Sequence, residues 1–319
     1  MSARSQRGVA LLTAVILVAL ATVMAAAIAF DSVMSTRRGS AVFAAEQGLL
    51  YAEAAEALAA QILREDLKSG SREDHPAERW AQPFGPLEIA PGVMLEARLE
   101  DLEGRFNLNS LVQADGSSDP AAIARFGRLL EALGLETRWA GLMADWIDNT
   151  PQANLPDGAE DSLYMSQDPP YRAPNMAITS VSELLALPGF GRDRYLKLAP
   201  YVSALPRDVP LNVCSAPGVV LDALHPTDHE YGVDPERLAR ERREHCFPTL
   251  DTLKQSLQQA LPAEEYTALA ARLSTQSNYF RLTSIVTIGA TELALYSLLQ
   301  RDQTAGGQVR PILRTYGLE

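Results

Sequence analysis

Carboxylates crowd one short part of the sequence. Asp145 and Asp148 stand three apart at the end of a stretch with helical periodicity, Thr137 to Ile147, and so share a face. Asp157, Glu160 and Asp161 follow in a loop containing Pro156 and Gly158, where backbone carbonyls can turn inward. Uncompensated carboxylates at close range repel, whereas Ca²⁺ takes roughly six to eight oxygen ligands at about 2.3–2.6 Å from flexible loops. The spacing is not that of an EF-hand, because no D-x-D-x-D-G run with a later glutamate occurs. Taken alone, these residues suit either a divalent-cation site or a solvated acidic loop.

Other chemistry-bearing residues are sparser. Cys214 and Cys246 are the two cysteines. If this part of the chain is exported they can be oxidised, closing a loop whose restriction of the unfolded chain contributes about 3–4 kcal/mol; two unlinked buried thiols are the alternative. His225 and His229 lie four apart, with His245 beside Cys246, which raises zinc. Pro226 disfavours a continuous helix there, and Cys214 competes for Cys246. Leu184, Leu187, Pro188, Gly189, Phe190 and Gly191 match the L-x-x-L-P-G-hydrophobic-G form of a helix-hairpin-helix, whose backbone amides can hold a nucleic-acid phosphate. Arg192, Arg194 and Lys197 follow it, but a formal net charge of −12 opposes binding to DNA. No G-x-S-x-G, H-E-x-x-H or P-loop occurs, and the neighbouring Glu160 and Asp161 do not define a facing pair of carboxylates. An enzyme is not expected.

The elements that must position these groups begin with a membrane-length segment. Val9 to Phe30 carries no charge, and 22 residues at 1.5 Å each cross a bilayer core of roughly 30 Å. Arg4 and Arg7 precede it, favouring a cytoplasmic start, although Arg37 and Arg38 beyond it weaken that bias. The small residues Ala25 to Ala29 resemble a signal-peptide cleavage site, but the apolar run exceeds the usual 7–15 residues. Helical periodicity continues to about Lys68, with Phe43, Leu50, Ala54, Leu58 and Ile62 on a predicted packed stripe and Glu53 and Glu56 outside it. From Gly92 the period changes to two, with Val93, Leu95, Ala97 and Leu99 on one face. That period returns near the end, at Phe280 to Ile288, around Leu293 and Leu295, and at Val309 to Thr315, with Gly306-Gly307 as a turn. The intervening residues are mostly helical in pattern: Ala121 to Leu133 after a start at Asp119-Pro120, Thr137 to Ile147, Ser180 to Leu187 and Pro262 to Leu273. Distant strands sharing one sheet make the middle an insertion. A length of 319 residues suits two folded units behind the anchor.

A short basic leader ending at Gly8, directly followed by such a span, resembles the processing signal of type IV pilins and type II secretion pseudopilins. The order of GRFNLN from Gly104, WID from Trp146, GAED from Gly158, LPGF from Leu187 and LNVCSAPGVVLDAL from Leu211 is similar to the protein K family of minor pseudopilins, over essentially the whole chain. This resemblance implies an α+β fold: a long transmembrane and amphipathic helix on an antiparallel sheet, with a large inserted all-α domain. The implied boundaries are a leader at 1–8, a transmembrane helix at 9–30, a pseudopilin domain at 31–106 and 279–319, and an insertion at 107–278. A prepilin peptidase would cut after Gly8 and methylate Val9, leaving a mature charge of −14 once Arg4 and Arg7 are lost. The family further implies calcium, placed here on Asp148, Asp157, Glu160 and Asp161. Export of the chain's bulk to the periplasm favours a Cys214–Cys246 disulfide. Implied partners are minor pseudopilins of the I and J types, with the H type, in a single-pass inner-membrane protein at the tip of the secretion fibre. A DNA-binding helix-hairpin-helix protein of a competence-type pilus is the alternative. Two positions depart from the family pattern: Val9 stands where phenylalanine or methionine is usual, and Thr13 where glutamate is nearly always found.

Overall fold

The computed structural model of the chain describes residues 7–70, 72–153, 156–303 and 307–317. Helix α1 (Arg7–Ser69) is continuous over 63 residues. Of the expected leader, residues 1–6 lie outside the described residues, as does Gly306 of the expected turn. The first half of α1 carries exposed Val9, Leu12, Ile16, Leu20 and Phe30 and is long and apolar enough to cross a membrane. Its second half packs on a sheet.

The strands in chain order are β1 (Phe84–Ala90), β2 (Val93–Asp101), the two-residue β3 (Phe106–Asn107), β4 (Val202–Ser203), β5 (Leu211–Asn212) and β6 (Leu273–Ser274), then β7 (Tyr279–Ile288), β8 (Thr291–Arg301) and β9 (Val309–Tyr316). The main sheet has the order β1-β2-β7-β8-β9, and every neighbouring pair is antiparallel. Strands β2 and β7, separated by the whole insertion, pair without a slip from Val93↔Ile288 to Asp101↔Phe280. Alternation explains this register, since one residue of slip would turn Leu95, Leu99, Leu282 and Val286 out of the core. Strand β1 is an addition to the sequence reading. Pro86 and near-complete exposure remove its alternating signal, as befits an edge strand.

The packed face of α1 differs from the expected stripe. Ala52, Ala55, Ala59 and Leu63 are buried on the sheet, whereas Phe43, Leu50, Ala54 and Leu58 do not share that face: Phe43, Leu50 and Leu58 are exposed, and Ile62 is half-buried. Small side chains let the helix backbone approach β7 and β8 closely, so the bulky residues fall outside. Glu56, expected outside the contact, is buried within it. Its carboxylate accepts from Ser297 Oγ (2.5 Å) and from Arg314 Nε and Nη2 (2.9 and 2.6 Å). Burial pushes its pKa up, but the bonds from Arg314 and Ser297 outweigh burial and hold it below the ordinary carboxylate value.

The insertion holds α2 (Pro120–Ala132), α3 (Arg138–Ile147), α4 (Asp161–Tyr164), α5 (Gly191–Leu198), α6 (Gly218–Leu224), α7 (Glu230–Val233), α8 (Pro235–Glu241), α9 (Leu250–Ala260) and α10 (Ala263–Ala270). As expected, α2 starts at Asp119-Pro120: Asp119 Oδ1 accepts from the amides of Ala121 and Ala122. Ser180 to Leu187 forms a 3₁₀ turn over Val181–Ala186 instead of an α-helix. Phe126, Leu129, Trp139, Met143 and Phe190 share the core, with Phe106 stacked on Phe126 at 5.3 Å and Trp139 edge-on to Phe190 at 5.2 Å. Two short parallel pairings, β3 with β4 and β5 with β6, tie the helices back to the strands. The chain leaves the main sheet after Asp101 and returns at Tyr279, beside the C-terminal end of α1, where Asp66 meets Arg301. The insertion therefore lies at the end of α1 remote from its membrane-length segment.

Candidate functional site

Three places carry the chemistry singled out in the sequence. The first is the junction between sheet and insertion. Asn107 Oδ1 accepts from the amides of Asn109 and Leu205, while its Nδ2 donates to the Pro206 carbonyl. Asn109 accepts from Ile178 N and donates to the carbonyls of Ile178 and Leu205. Two side-chain amides thus continue the tie that the β3–β4 pairing begins, which explains an NLN run that sequence alone marks only as a turn. Gly104 permits the close approach behind it, since a Cβ there would lie 2.9 Å from the Ser215 backbone. Asn212 Nδ2 lies within hydrogen-bond distance of the Asp74 carbonyl (2.8 Å), Asp101 Oδ2 (2.9 Å) and Ser277 Oγ (2.8 Å).

Charge at this junction is balanced by burial chemistry that the sequence reading did not find. Arg301 donates to Asp66 Oδ2 (3.0 Å), to Asp74 Oδ2 and to the Ser277 carbonyl. Asp66, Asp74 and Glu78 form the one group of three or more potential metal ligands, among the described residues, with atoms mutually within 4.8 Å, and the Arg301 guanidinium already serves two of its members. Burial, with Glu78 and Asp74 nearby, pushes Asp66 up to about 6. Glu103 Oε1 accepts from the amides of Asn278 and Tyr279. Burial, followed by the Asp101 charge, pushes Glu103 up to about 8. The partners of Arg301 and Glu103 are far removed in sequence, which hides them from any spacing argument.

The second place is the acidic loop. Asp145 and Asp148 are buried at the end of α3, and Asp148 accepts from Ser118 Oγ (2.7 Å) and from Thr150 N and Oγ1 (3.0 and 3.1 Å). Glu160 is pushed up to about 7 by burial and then by Asp145, Asp148 and Asp161. Its Oε1, the Asn175 Oδ1 and the Tyr164 hydroxyl are buried without a hydrogen-bond partner among the described residues. Orphaned oxygens beside carboxylates are of the donor type a hard divalent cation takes, although no three acidic side chains of this loop bring ligand atoms mutually within 4.8 Å among the described residues. Asp161 lies 3.6 Å from Arg172 and is half-exposed. Asp157 is exposed, its backbone seated against Gly141, where a Cβ would lie 3.2 Å away. Asp145 and Asn175 therefore adjoin Glu160, beyond the four residues chosen from sequence.

The third is the hairpin at Ser182 to Tyr201. Gly189 and Gly191 take positive φ (81° and 75°), and Leu184, Leu187, Phe190 and Leu198 are buried in the insertion core. Arg194 is committed to Glu136, with Nη2 at 2.5 Å and Nε at 2.8 Å, and to the carbonyls of Gly189 and Phe190. The hairpin's apolar residues are used for packing, and one of its three cations, Arg194, faces a carboxylate, while Arg192 and Lys197 are exposed. Elsewhere, Cys214 and Cys246 are joined. Arg242 braces that region by donating to the carbonyls of Ala216, Val213 and Phe247 at 2.7, 2.8 and 2.6 Å, and burial pushes its pKa down to about 10. His225 Nδ1 accepts from the amides of Thr227 and Asp228, leaving the zinc reading without a shared centre among the described residues. Thr13 Oγ1 donates to the Ala10 carbonyl (3.0 Å), so its hydroxyl is satisfied within its own helix.

Comparison with known proteins agrees with this architecture. A family model described as type II secretion system (T2SS), protein K, matches residues 104–207. Type II secretion system protein K of Pseudomonas aeruginosa is 35% identical, with 98% of this chain and 94% of that protein covered. The protein K of Klebsiella pneumoniae is 32% identical, over 98% of this chain and 97% of that one. Among solved structures, a chain of the GspK-GspI-GspJ complex from the enterotoxigenic Escherichia coli type 2 secretion system superposes with a TM-score of 0.74 at 27% identity, covering 89% of this chain and 100% of that chain. With a long apolar helix on an antiparallel sheet, a helical insertion between its paired strands, and relatives of this identity along nearly its whole length, the chain belongs to the type II secretion system protein K family.

Proposed function

We propose that this chain is the minor pseudopilin that starts and caps the fibre of a type II secretion system, exporting folded proteins. The observation that carries this reading is the placement of the insertion. It is attached at the Asp101 and Tyr279 end of the sheet, remote from the membrane-length segment. A subunit stacked above would meet that bulk instead of a free helix end. Thr13 fits the same role. A carboxylate at mature position five is useful where it meets the charged amine of a neighbouring subunit in apolar surroundings, and a first subunit has no neighbour above it.

In this reading a prepilin peptidase cuts after Gly8 and methylates Val9, Val9 to Phe30 stays in the bacterial inner membrane, and the bulk faces the periplasm. The I- and J-type pseudopilins bind it, by analogy with the GspK-GspI-GspJ complex formed by its relative, and the H type joins them. Calcium bound by Asp145, Asp148, Glu160 and Asn175, with Asp157 and Asp161 beside them, would neutralise the acidic loop and hold α3 against α4. The role is structural and involves no catalysis. Purification of the full chain from membranes tests it: I- and J-type pseudopilins should co-purify in a fixed ratio. A full chain recovered free of them, or spread along fibre shafts in labelled micrographs, would overturn the assignment.

A further inference from the structure

Where the insertion joins the strands, six side chains from distant parts of the sequence line a cavity of about 50 Å³: Glu103 after β2, Phe106 on β3, Arg125 on α2, Leu224 on α6, Leu269 on α10 and Arg272 before β6. One water requires roughly 10–15 Å³ of such space, so the cavity has room for about three to five heavy atoms. Phe106, Leu224 and Leu269 are buried and make part of its wall apolar. Arg272 and the neighbouring Val209 and Pro210 are half-buried, which puts them at its rim.

The polar groups on this wall are unequally used. Glu103 is 1% exposed; the amides of Asn278 and Tyr279 take up its Oε1, while its Oε2 is buried without a partner among the described residues. Arg105, also on the wall, is engaged with Glu100 and the Ala199 carbonyl. Arg125 commits Nη1 to Glu265 at 3.2 Å. Arg272 makes no side-chain hydrogen bond or ion pair among the described residues. Burial pushes Arg125 below the ordinary guanidinium value; Asp119 and Glu265 counter this, and the like charges of Arg128 and Arg272 add to it. Guanidinium donors in excess thus meet one orphaned carboxyl oxygen beside an apolar surface.

We propose that this cavity binds the carboxylate end of a small aliphatic acid, either a free acid or the C-terminus of a peptide. Arg272, with Arg125 beside it, donates to the ligand carboxylate, a pairing whose planar fork suits two oxygens. Glu103 in its protonated form gives Oε2–H to the same group, and Phe106, Leu224 and Leu269 receive the alkyl part. A carboxamide offers one oxygen where the carboxylate offers two and turns N–H groups toward guanidinium donors; an ammonium offers no acceptor. Burial and the Asp101 charge, with Asp74 acting in the same direction, push Glu103 up to about 8, while Arg105, Arg125 and Arg272 share the cavity wall with it. Because the ligand is an anion and Glu103 must donate, binding weakens as rising pH removes the Glu103 proton.

Isothermal calorimetry on the detergent-solubilised full chain tests this with sodium propionate, propionamide, and a glycine-glycine-alanine peptide whose C-terminus is free or amidated. Propionate should bind roughly tenfold or more tightly than propionamide, and more weakly at pH 9 than at pH 7. Arg272→Gln should weaken propionate by roughly tenfold or more while melting with the native chain, because Arg272 is half-buried and bonded to nothing it would strand. Glu103→Gln should retain binding and lose the pH dependence, since its Oε1 still accepts from Asn278 and Tyr279 while an N–H group stands at the place of Oε2. Both sources support the site and are told apart by the peptides: the free-acid peptide binding where the amidated one does not marks a chain terminus, and propionate binding without either peptide marks a free acid. No heat from propionate or the free-acid peptide, equal binding of propionamide, or full affinity in a folded Arg272→Gln chain would each overturn the proposal and leave a cavity that holds water only. Should Arg272→Gln fail to fold, the contrast between propionate and propionamide on the native chain decides alone.

Discussion

At the scale of single residues, the proposed calcium site in the acidic loop rests on Glu160, whose carboxyl burial and three neighbouring carboxylates push up. Glu160 is pushed up to about 7 because burial, and then the charges of Asp145, Asp148 and Asp161, disfavour its ionised form. A bound Ca²⁺ reverses that preference, and binding must release the proton. The detergent-solubilised chain should therefore melt higher with calcium than with chelator, by about 2.7 kcal/mol of stability when calcium is a hundredfold above its dissociation constant. The gain should grow as pH rises from about 6 to about 8, since a deprotonated Glu160 is the binding form. Replacing Glu160 and Asp161 together with alanine should abolish the gain, as read by thermal melts with and without calcium. An unchanged calcium response in that double variant would remove these residues from the site. The sequence offered the carboxylates, but the Asn175 and Tyr164 oxygens, buried without a partner among the described residues, came to notice only in the structure.

At the scale of elements, periodicity was legible where each face met one environment, and misleading where small residues made the contact. Strands β2 and β7 alternate because one side packs on α1 and the other meets solvent. Helix α2 announced its start through the Asp119 cap, a local interaction that leaves a local signature. Strand β1 left none, because an exposed edge imposes little pattern. The packing of α1 was inverted: alanines face the sheet, and the large apolar residues that look like a core stripe point away from it. Glu56 was hidden for the same reason as Arg301 and Asn212, since its partners Ser297 and Arg314 lie at the far end of the chain. Two substitutions separate the faces. Glu56→Ala should cost about 2 kcal/mol, because it strands the buried Ser297 hydroxyl and removes a charge-assisted bond from Arg314. Leu50→Ala, on the outer face, should stay within about 0.5 kcal/mol. Urea melts of the two variants check this, and a larger loss for Leu50→Ala would mean that the outer face is packed within the monomer.

At the scale of the whole molecule, the insertion and the anchor sit at opposite ends of one helix, and the junction between insertion and sheet is polar where a rigid joint needs it to be. Asn212, Asp101, Asp74, Ser277 and Arg301 fix the domain by directional bonds, and the β5–β6 pairing adds main-chain contacts beside them. That rigidity matters if the insertion is what stops further subunits from stacking, because a mobile domain could swing aside. Geometry also makes the test feasible. Asp101 and Phe280 are direct partners in the β2–β7 ladder, so a short Asn-Gly turn joining the two strands could replace the insertion without disturbing the register. The sheet would retain β1, β2, β7, β8 and β9, and α1 would keep its alanine face on β7 and β8. Such a chain should still insert, be processed after Gly8 and bind its partners through α1, but it should no longer block addition above itself. Fibres formed with it should be abnormally long in electron micrographs, whereas Thr13→Glu alone should leave formation of the tip complex nearly unchanged. Fibres of normal length from the deleted chain, with the variant still at their tips, would show that α1 and the sheet suffice for capping and that the inserted helices serve another purpose.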